Sequence, residues 1–92
     1  MKRNHNEFKR TASKIKAIAH PMRLKLLSEL MKKECCVGEI QNCLAISQPN
    51  ASQHLKILKD AEIVEGRRDK NRICYRIKDA SIIKVLQSLF EN

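Results

Sequence analysis

The sequence predicts a mainly α-helical winged helix-turn-helix with a small β-hairpin, in the order ααααββα, and three observations lead there. A helix with one polar face follows a short helix across a tight turn. A basic hairpin pattern follows that helix directly. The chain carries 19 Lys+Arg against 10 Asp+Glu, net +9 over 92 residues. At this length residues 1–92 read as one small-cored domain, with residues 1–6 as a flexible N-terminal tail.

Helix one is expected over Glu7 to Ile18, with Phe8, Ala12, Ile15 and Ala19 on one side. It ends near His20-Pro21, because the residue before a proline is pushed out of helical geometry. Pro21 can open a second helix, Met22 to Met31, carrying Leu24, Leu27, Leu30 and Met31. A third helix, Val37 to Leu44, turns Ile40 and Leu44 inward. The turn Ala45-Ile46-Ser47 leads onward, without the glycine often found in such a motif.

The fourth helix carries the most information. Ala51, Leu55 and Leu58 recur at i, i+4, i+7, the spacing that buries one stripe of a helix. Gln48, Ser52, Gln53 and Lys56 fall on the opposite face, with Asn50 and His54 on its flanks. Amides, a hydroxyl and an imidazole are groups that read base edges, and a lysine suits a phosphate. Ser47 is placed to cap the first turn, where Pro49 costs nothing because first-turn N–H groups have no helical partner. This is a recognition helix by design of its two faces.

Ile63 to Arg68 and Arg72 to Ile77 form the hairpin around Asp69-Lys70-Asn71. Ile73, Tyr75 and Ile77 alternate with Arg72, Cys74 and Arg76, the period of a strand with one buried face. Arg67, Arg68, Lys70 and Arg72 then line its tip and outer face, as on a wing that follows the DNA backbone or minor groove. The last helix, Ala80 to Phe90, is too apolar for a short exposed helix. Its Ile82, Ile83, Leu86, Leu89 and Phe90, with Phe8 and Ile15 of helix one, are expected to form a homodimer interface.

Charge and composition narrow the function further. Residues 1–33 hold ten Lys/Arg and two acids, residues 34–66 two and five, and residues 67–92 seven and three. The basic balance favours nucleic acid or an anionic membrane surface. Basic flanks around a less basic middle suit phosphate attraction beside base readout, with double-stranded DNA as the expected partner. No apolar run approaches the ~20 residues needed to span a bilayer. The charged start Met1-Lys2-Arg3-Asn4-His5-Asn6 lacks a signal peptide's apolar core, so a cytoplasmic protein is expected. With no Gly-rich phosphate loop, 2 glycines and no tryptophan, no substrate pocket is suggested, and an enzyme is not expected. The competing reading is a winged helix that serves as a protein-interaction module without an inducer.

Four stretches together resemble the ArsR/SmtB family of bacterial and archaeal transcriptional repressors. They are Ala19-His20-Pro21-Met22-Arg23-Leu24, Glu34 to Ile40, Ser47 to Lys56, and Arg67-Arg68 through Tyr75-Arg76-Ile77. The resemblance implies a dimeric winged-helix repressor that binds an inverted repeat and lets go when an inducer binds. It places Gln48, Ser52 and Gln53 toward the major groove and Arg67 to Arg72 on the wing. Arsenic and cadmium sensors of the family carry Glu-Leu-Cys-Val-Cys-Asp-Leu at the start of the third helix. Here Cys36 falls on the first cysteine, Gly38 replaces the second, and Cys35 stands where leucine is usual. The zinc sensors' Asp-x-His pair is broken, since Ser81 follows Asp79 in place of histidine. The persulfide sensors' pattern is broken by Ser28 and a cysteine-free tail.

The cysteines leave two inducer chemistries open. Neighbouring side chains cannot both point into one core, so at least one of Cys35 and Cys36 is expected to be accessible. A helix N-terminus and Lys32-Lys33 favour thiolate there, most of all at Cys36. The pair could grip As(III) or another thiophilic ion, with a third ligand from Cys43, Cys74 or the other subunit, or it could be oxidised or react with sulfur species. Cys43 and Cys74 otherwise read as small buried residues, and structural disulfides are not expected in a cytosolic chain. DNA binding itself calls for no cofactor.

Overall fold

The structure, a computed structural model, describes residues 2–90, so Met1 of the expected tail and Glu91 and Asn92 of the expected domain lie outside the described residues. The elements are α1 (His5–Ile18), α2 (Pro21–Lys32), β1 (Cys35–Cys36), α3 (Val37–Leu44), α4 (Gln48–Asp60), β2 (Val64–Asp69), β3 (Arg72–Ile77) and α5 (Ala80–Phe90). The winged helix-turn-helix is therefore observed, with one strand beyond the expected order.

Local chemistry sets each helix start. Asn4 Oδ1 accepts the Glu7 N–H at 2.9 Å, so α1 begins at His5 and absorbs His5 and Asn6 of the expected tail. His20 Nδ1 accepts the Met22 N–H at 3.1 Å, and Pro21 fills the first turn of α2. Glu39 Oε1 accepts the Cys36 N–H at 3.0 Å at the start of α3. Ser47 Oγ accepts the Asn50 N–H at 3.3 Å at the start of α4.

The turn between α3 and α4 solves its missing glycine by force. Ala45 adopts φ 54°, ψ 48°, a left-handed conformation that closes α3. The Ile46 N–H then donates to the Gln41 carbonyl at 3.2 Å. A Cβ in this region is strained, and the strain is the cost of turning α4 sharply away from α3.

The sheet is antiparallel with order β1-β3-β2. Cys35 and Cys36 lie opposite Tyr75 and Cys74, while Gly66 and Arg67 of β2 lie opposite Tyr75 and Cys74 from the other side. Two residues carry no periodicity, which is why β1 was not legible in the sequence. Gly66 answers a packing demand: a Cβ there would stand 2.9 Å from the Tyr75 ring. Among the described residues no helix is long and apolar enough to cross a membrane.

The core joins Leu26, Leu27 and Leu30 of α2, Ile40 of α3, the Ala51-Leu55-Leu58 stripe of α4, Ile63, Val64, and Ile82 and Leu86 of α5. This corrects two of the residues expected at a dimer interface. Ile82 and Leu86 are 5% and 0% exposed within one protomer, because α5 folds one face back onto its own core. Asp79 anchors that arrangement: its Oδ1 accepts the Ser81 and Ile82 N–H groups at 2.9 and 3.2 Å, and its Oδ2 pairs with Lys14 of α1. Asp79 is thus committed to the α1–α5 junction. Burial alone would raise its carboxyl, but the Lys14 hydrogen bond, the Ile82 N–H, the Lys14 charge and the Ser81 N–H outweigh it and hold the pKa below the ordinary value.

Two outcomes follow from these local constraints. Ala45→Gly should stabilise the fold by about 0.5–1 kcal/mol in denaturant unfolding, through relief of the left-handed strain. A loss of stability would show that the turn is not strained. Asp79→Asn keeps a capping oxygen but removes the charge, and should lose about 1 kcal/mol at neutral pH. A depressed carboxyl stabilises the fold above its ordinary pKa of about 3.9 and loses that contribution as pH falls through the lower folded value. The gap between parent and variant should therefore close in acid, and equal stability at pH 7 would refute the anchor.

Candidate nucleic-acid interface

The exposed face of α4 follows from its buried stripe. With Ala51, Leu55 and Leu58 no more than 1% exposed, the helix can turn only one side outward. That side presents Gln48, Asn50, Ser52, Gln53 and Lys56, all exposed. Ser47 is exposed too, but its hydroxyl holds the Asn50 N–H and so shapes the first turn. Lys56 Nζ rests 2.9 Å from Asp60, an exposed i,i+4 pair that opens at little cost.

His54 faces elsewhere than expected. It is half-buried, its Nδ1 stands 3.3 Å from the Arg23 guanidinium, and its ring lies 4.9 Å from that of His20. Arg23 in turn donates to the Ala17 carbonyl. His54 therefore ties α4 to the α1–α2 junction rather than flanking the reading face. Burial first, then the charges of His20 and Arg23, push its pKa down and favour the neutral ring.

The wing divides its basic residues. Arg67 makes a bidentate pair with Glu34 at 2.7 and 3.0 Å, Arg72 pairs with Asp69 at 3.4 Å, and Arg76 with Glu65. Hydrogen bonding to Arg67 holds the Glu34 carboxyl below its ordinary range. Among the described residues Arg68 and Lys70 make no ion pair, and both are exposed near the tip. A cleft of about 600 Å³ separates wing from reading helix, with Gln48 and Ser52 on one wall and Arg72, Ile73 and Tyr75 on the other. Glu34 gave no signal in the sequence, because its partner is 33 residues away.

The cysteines depart most from expectation. Cys35 and Cys36 are both buried, at 3% and 6% exposed, since successive strand residues point to opposite faces and each face is covered. Cys36 is joined to Cys74 by a disulfide, so the expected free, thiolate-like Cys36 is not observed. The register places the two directly opposite across β1 and β3, which no local pattern reveals. Cys35 packs in the core, and burial followed by the Glu39 charge pushes its thiol up. Cys43, expected to be buried, is an exposed free thiol. Among the described residues no three His, Cys, Asp or Glu side chains converge as metal ligands, so the third ligand expected from Cys43 or Cys74 is not assembled.

A second surface is apolar. Phe8 and Ile15 of α1 and Val85, Leu89 and Phe90 of α5 are exposed, and Ile83 is half-buried. Leu89 alone is 68% exposed.

Known proteins share this architecture. The family model for bacterial regulatory proteins of the arsR family matches residues 20–66. Over 90 residues the chain is 36% identical to the biofilm growth-associated repressor of Xylella fastidiosa, covering 98% of this chain and 76% of that protein. The crystal structure of NolR from Sinorhizobium fredii has a TM-score of 0.84 at 35% identity, covering 97% of this chain and 93% of that one. The homodimeric winged helix-turn-helix DNA-binding domain Mb0332 from Mycobacterium bovis, a possible ArsR-family regulator, has a TM-score of 0.86 at 27% identity, covering 95% and 83%.

Proposed function

The chain belongs to the ArsR family of bacterial regulatory proteins, and on that premise we propose that it is a homodimeric DNA-binding repressor released by a thiol-reactive inducer. One observation carries the DNA reading: α4 is bound into the core along one stripe and exposes Gln48, Ser52 and Gln53 along the other. The wing's Arg68 and Lys70 add phosphate attraction beside it, with Arg67, Arg72 and Lys56 available once their exposed pairs open. Residues 1–92 act as one unit in this reading, and the protein works in the cytoplasm, where its DNA is.

Dimerisation follows from the apolar surface. Phe8, Ile15, Leu89 and Phe90 form a face that one protomer leaves in water. An isologous pairing of α1 and α5 buries it twice over and sets two recognition helices about 34–36 Å apart, one turn of DNA. A matching operator is an inverted repeat.

The inducer reading rests on the thiols. An As(III) ion takes three thiolates, but Cys36 and Cys74 are joined, Cys35 is in the core and Cys43 is exposed at the end of α3. That dispersal favours redox or reactive-sulfur chemistry over metalloid binding within one protomer.

Readout and attraction should separate by position. Gln48→Ala, Ser52→Ala or Gln53→Ala should cost about 1–3 kcal/mol on the operator and little on random DNA. Arg68→Ala or Lys70→Ala should weaken both and lower the salt slope by about one unit per lost contact. A protein-interaction module would show neither effect in a fluorescence anisotropy titration. Leu89→Glu should turn the dimer into a folded monomer in sedimentation velocity at micromolar concentration, and an unchanged dimer would place the interface elsewhere.

A further inference from the structure

We propose that Cys36 and Cys74 form a hydroperoxide-responsive dithiol, and that its disulfide state is the DNA-released form of the repressor. The inference rests on the DNA-binding reading above and names the residues, the oxidant class and the direction.

The geometry is a row across the sheet. Cys36 of β1 lies opposite Cys74 of β3, and Cys74 lies opposite Arg67 of β2. Directly opposed residues share one face of a sheet, so the two sulfurs and the guanidinium stem stand side by side. Arg67 reaches across β3 to Glu34, just ahead of β1, and both sulfurs are buried there. An exposed ion pair is held weakly, so this cover opens readily to a small oxidant.

Each sulfur has a positive group on its flank. Cys36 stands at the N-terminus of α3, where the helix dipole stabilises a thiolate. Cys74 has the Arg67 cation as its cross-strand neighbour. The Cys36 thiolate attacks a hydroperoxide oxygen, forming a sulfenic acid and releasing an alkoxide that takes up a proton to become an alcohol. The Cys74 thiolate then attacks the sulfenic sulfur, the S–S bond forms, and the hydroxide that leaves takes a proton to become water. Two thiols and one hydroperoxide give one disulfide, one alcohol and one water. A dithiol reductant reverses the state by exchange.

The consequence lies in what the bond joins. Cys36 ends β1 and begins α3, the first helix of the helix-turn-helix, while Cys74 sits mid-strand in the wing. The bond therefore bolts the wing to the start of the helix pair beside the cleft that Cys36 lines together with Gln48, Ser52, Ile73 and Tyr75. Docking needs recognition helix and wing to adjust together to two DNA grooves. In the reduced state the β1–β3 link is the backbone hydrogen bonds of a two-residue strand and the exposed Arg67–Glu34 pair, with Val64, Tyr75 and Ile77 seated on the core, and the wing beyond them can adjust. In the disulfide state it cannot.

The test uses the full chain as its native assembly and an operator duplex selected by the reduced protein from a random pool. Treatment with hydrogen peroxide should weaken operator binding at least tenfold, and a dithiol reductant should restore it. Peptide mapping by mass spectrometry should find the Cys36–Cys74 bridge, with loss of binding tracking its formation in the parent protein, a measure that needs no variant to fold. Cys74→Ala should bind like the reduced parent and ignore peroxide, whereas Cys35→Ala and Cys43→Ala should respond as the parent does. Equal or tighter binding after oxidation, a response that persists in Cys74→Ala, or a bridge through Cys35 or Cys43 would overturn the inference alone. Failure of the reduced and oxidised proteins to select any duplex would overturn the DNA-binding reading and this inference with it.

Discussion

The buried stripe of α4 is the constraint on which the rest depends. Ala51, Leu55 and Leu58 meet the α2 leucines and Ile40 in a core that one small chain must close by itself. Each fully buried leucine contributes about 1.5–3 kcal/mol, so any rotation of α4 about its axis forfeits several such terms together. Residues on a helix are tied to one another in angle, and the position of Leu55 therefore dictates where Gln48, Ser52 and Gln53 point. The exposed face is fixed in angle because its reverse side is the core. His54, turned inward onto Arg23 and His20, adds a polar tie on the same helix.

The wing obeys a different balance. Its strands expose most of their length, and the ion pairs that organise it, Arg67 with Glu34 and Arg76 with Glu65, lie in solvent where such pairs are weak. Stiffness there comes instead from Tyr75 packed over Gly66 and from the link of β3 to β1. A helix fixed by the core and a basic hairpin thus flank one cleft, and the β1–β3 link is where the hairpin joins the helices.

The two ends of the chain share a single task. α5 divides its apolar residues between Ile82 and Leu86, which close the protomer's core, and Val85, Leu89 and Phe90, which remain outside beside Phe8 and Ile15 of α1. The Asp79–Lys14 pair holds these two helices at their junction. One face of α5 thus closes the fold, and the other leaves an apolar surface in water.

Much of this was legible along the chain. Helix periodicity gave α1 to α4 and the polar face of α4, because side chains three and four apart share a face whatever else the chain does. Alternation in Ile73, Tyr75 and Ile77 gave the wing strand but not its burial, since Ile73 is exposed and Cys74 of the opposite face is buried, and the surplus of Lys and Arg gave the polyanion. Only the tertiary structure decided which apolar residues of α5 face inward, that His54 turns from the DNA side, that Arg67 meets Glu34, and that Cys36 meets Cys74 through a strand of two residues. The physical reason is common to all four. Each depends on groups distant in sequence, and a local pattern records how a segment can fold but not what it will find there.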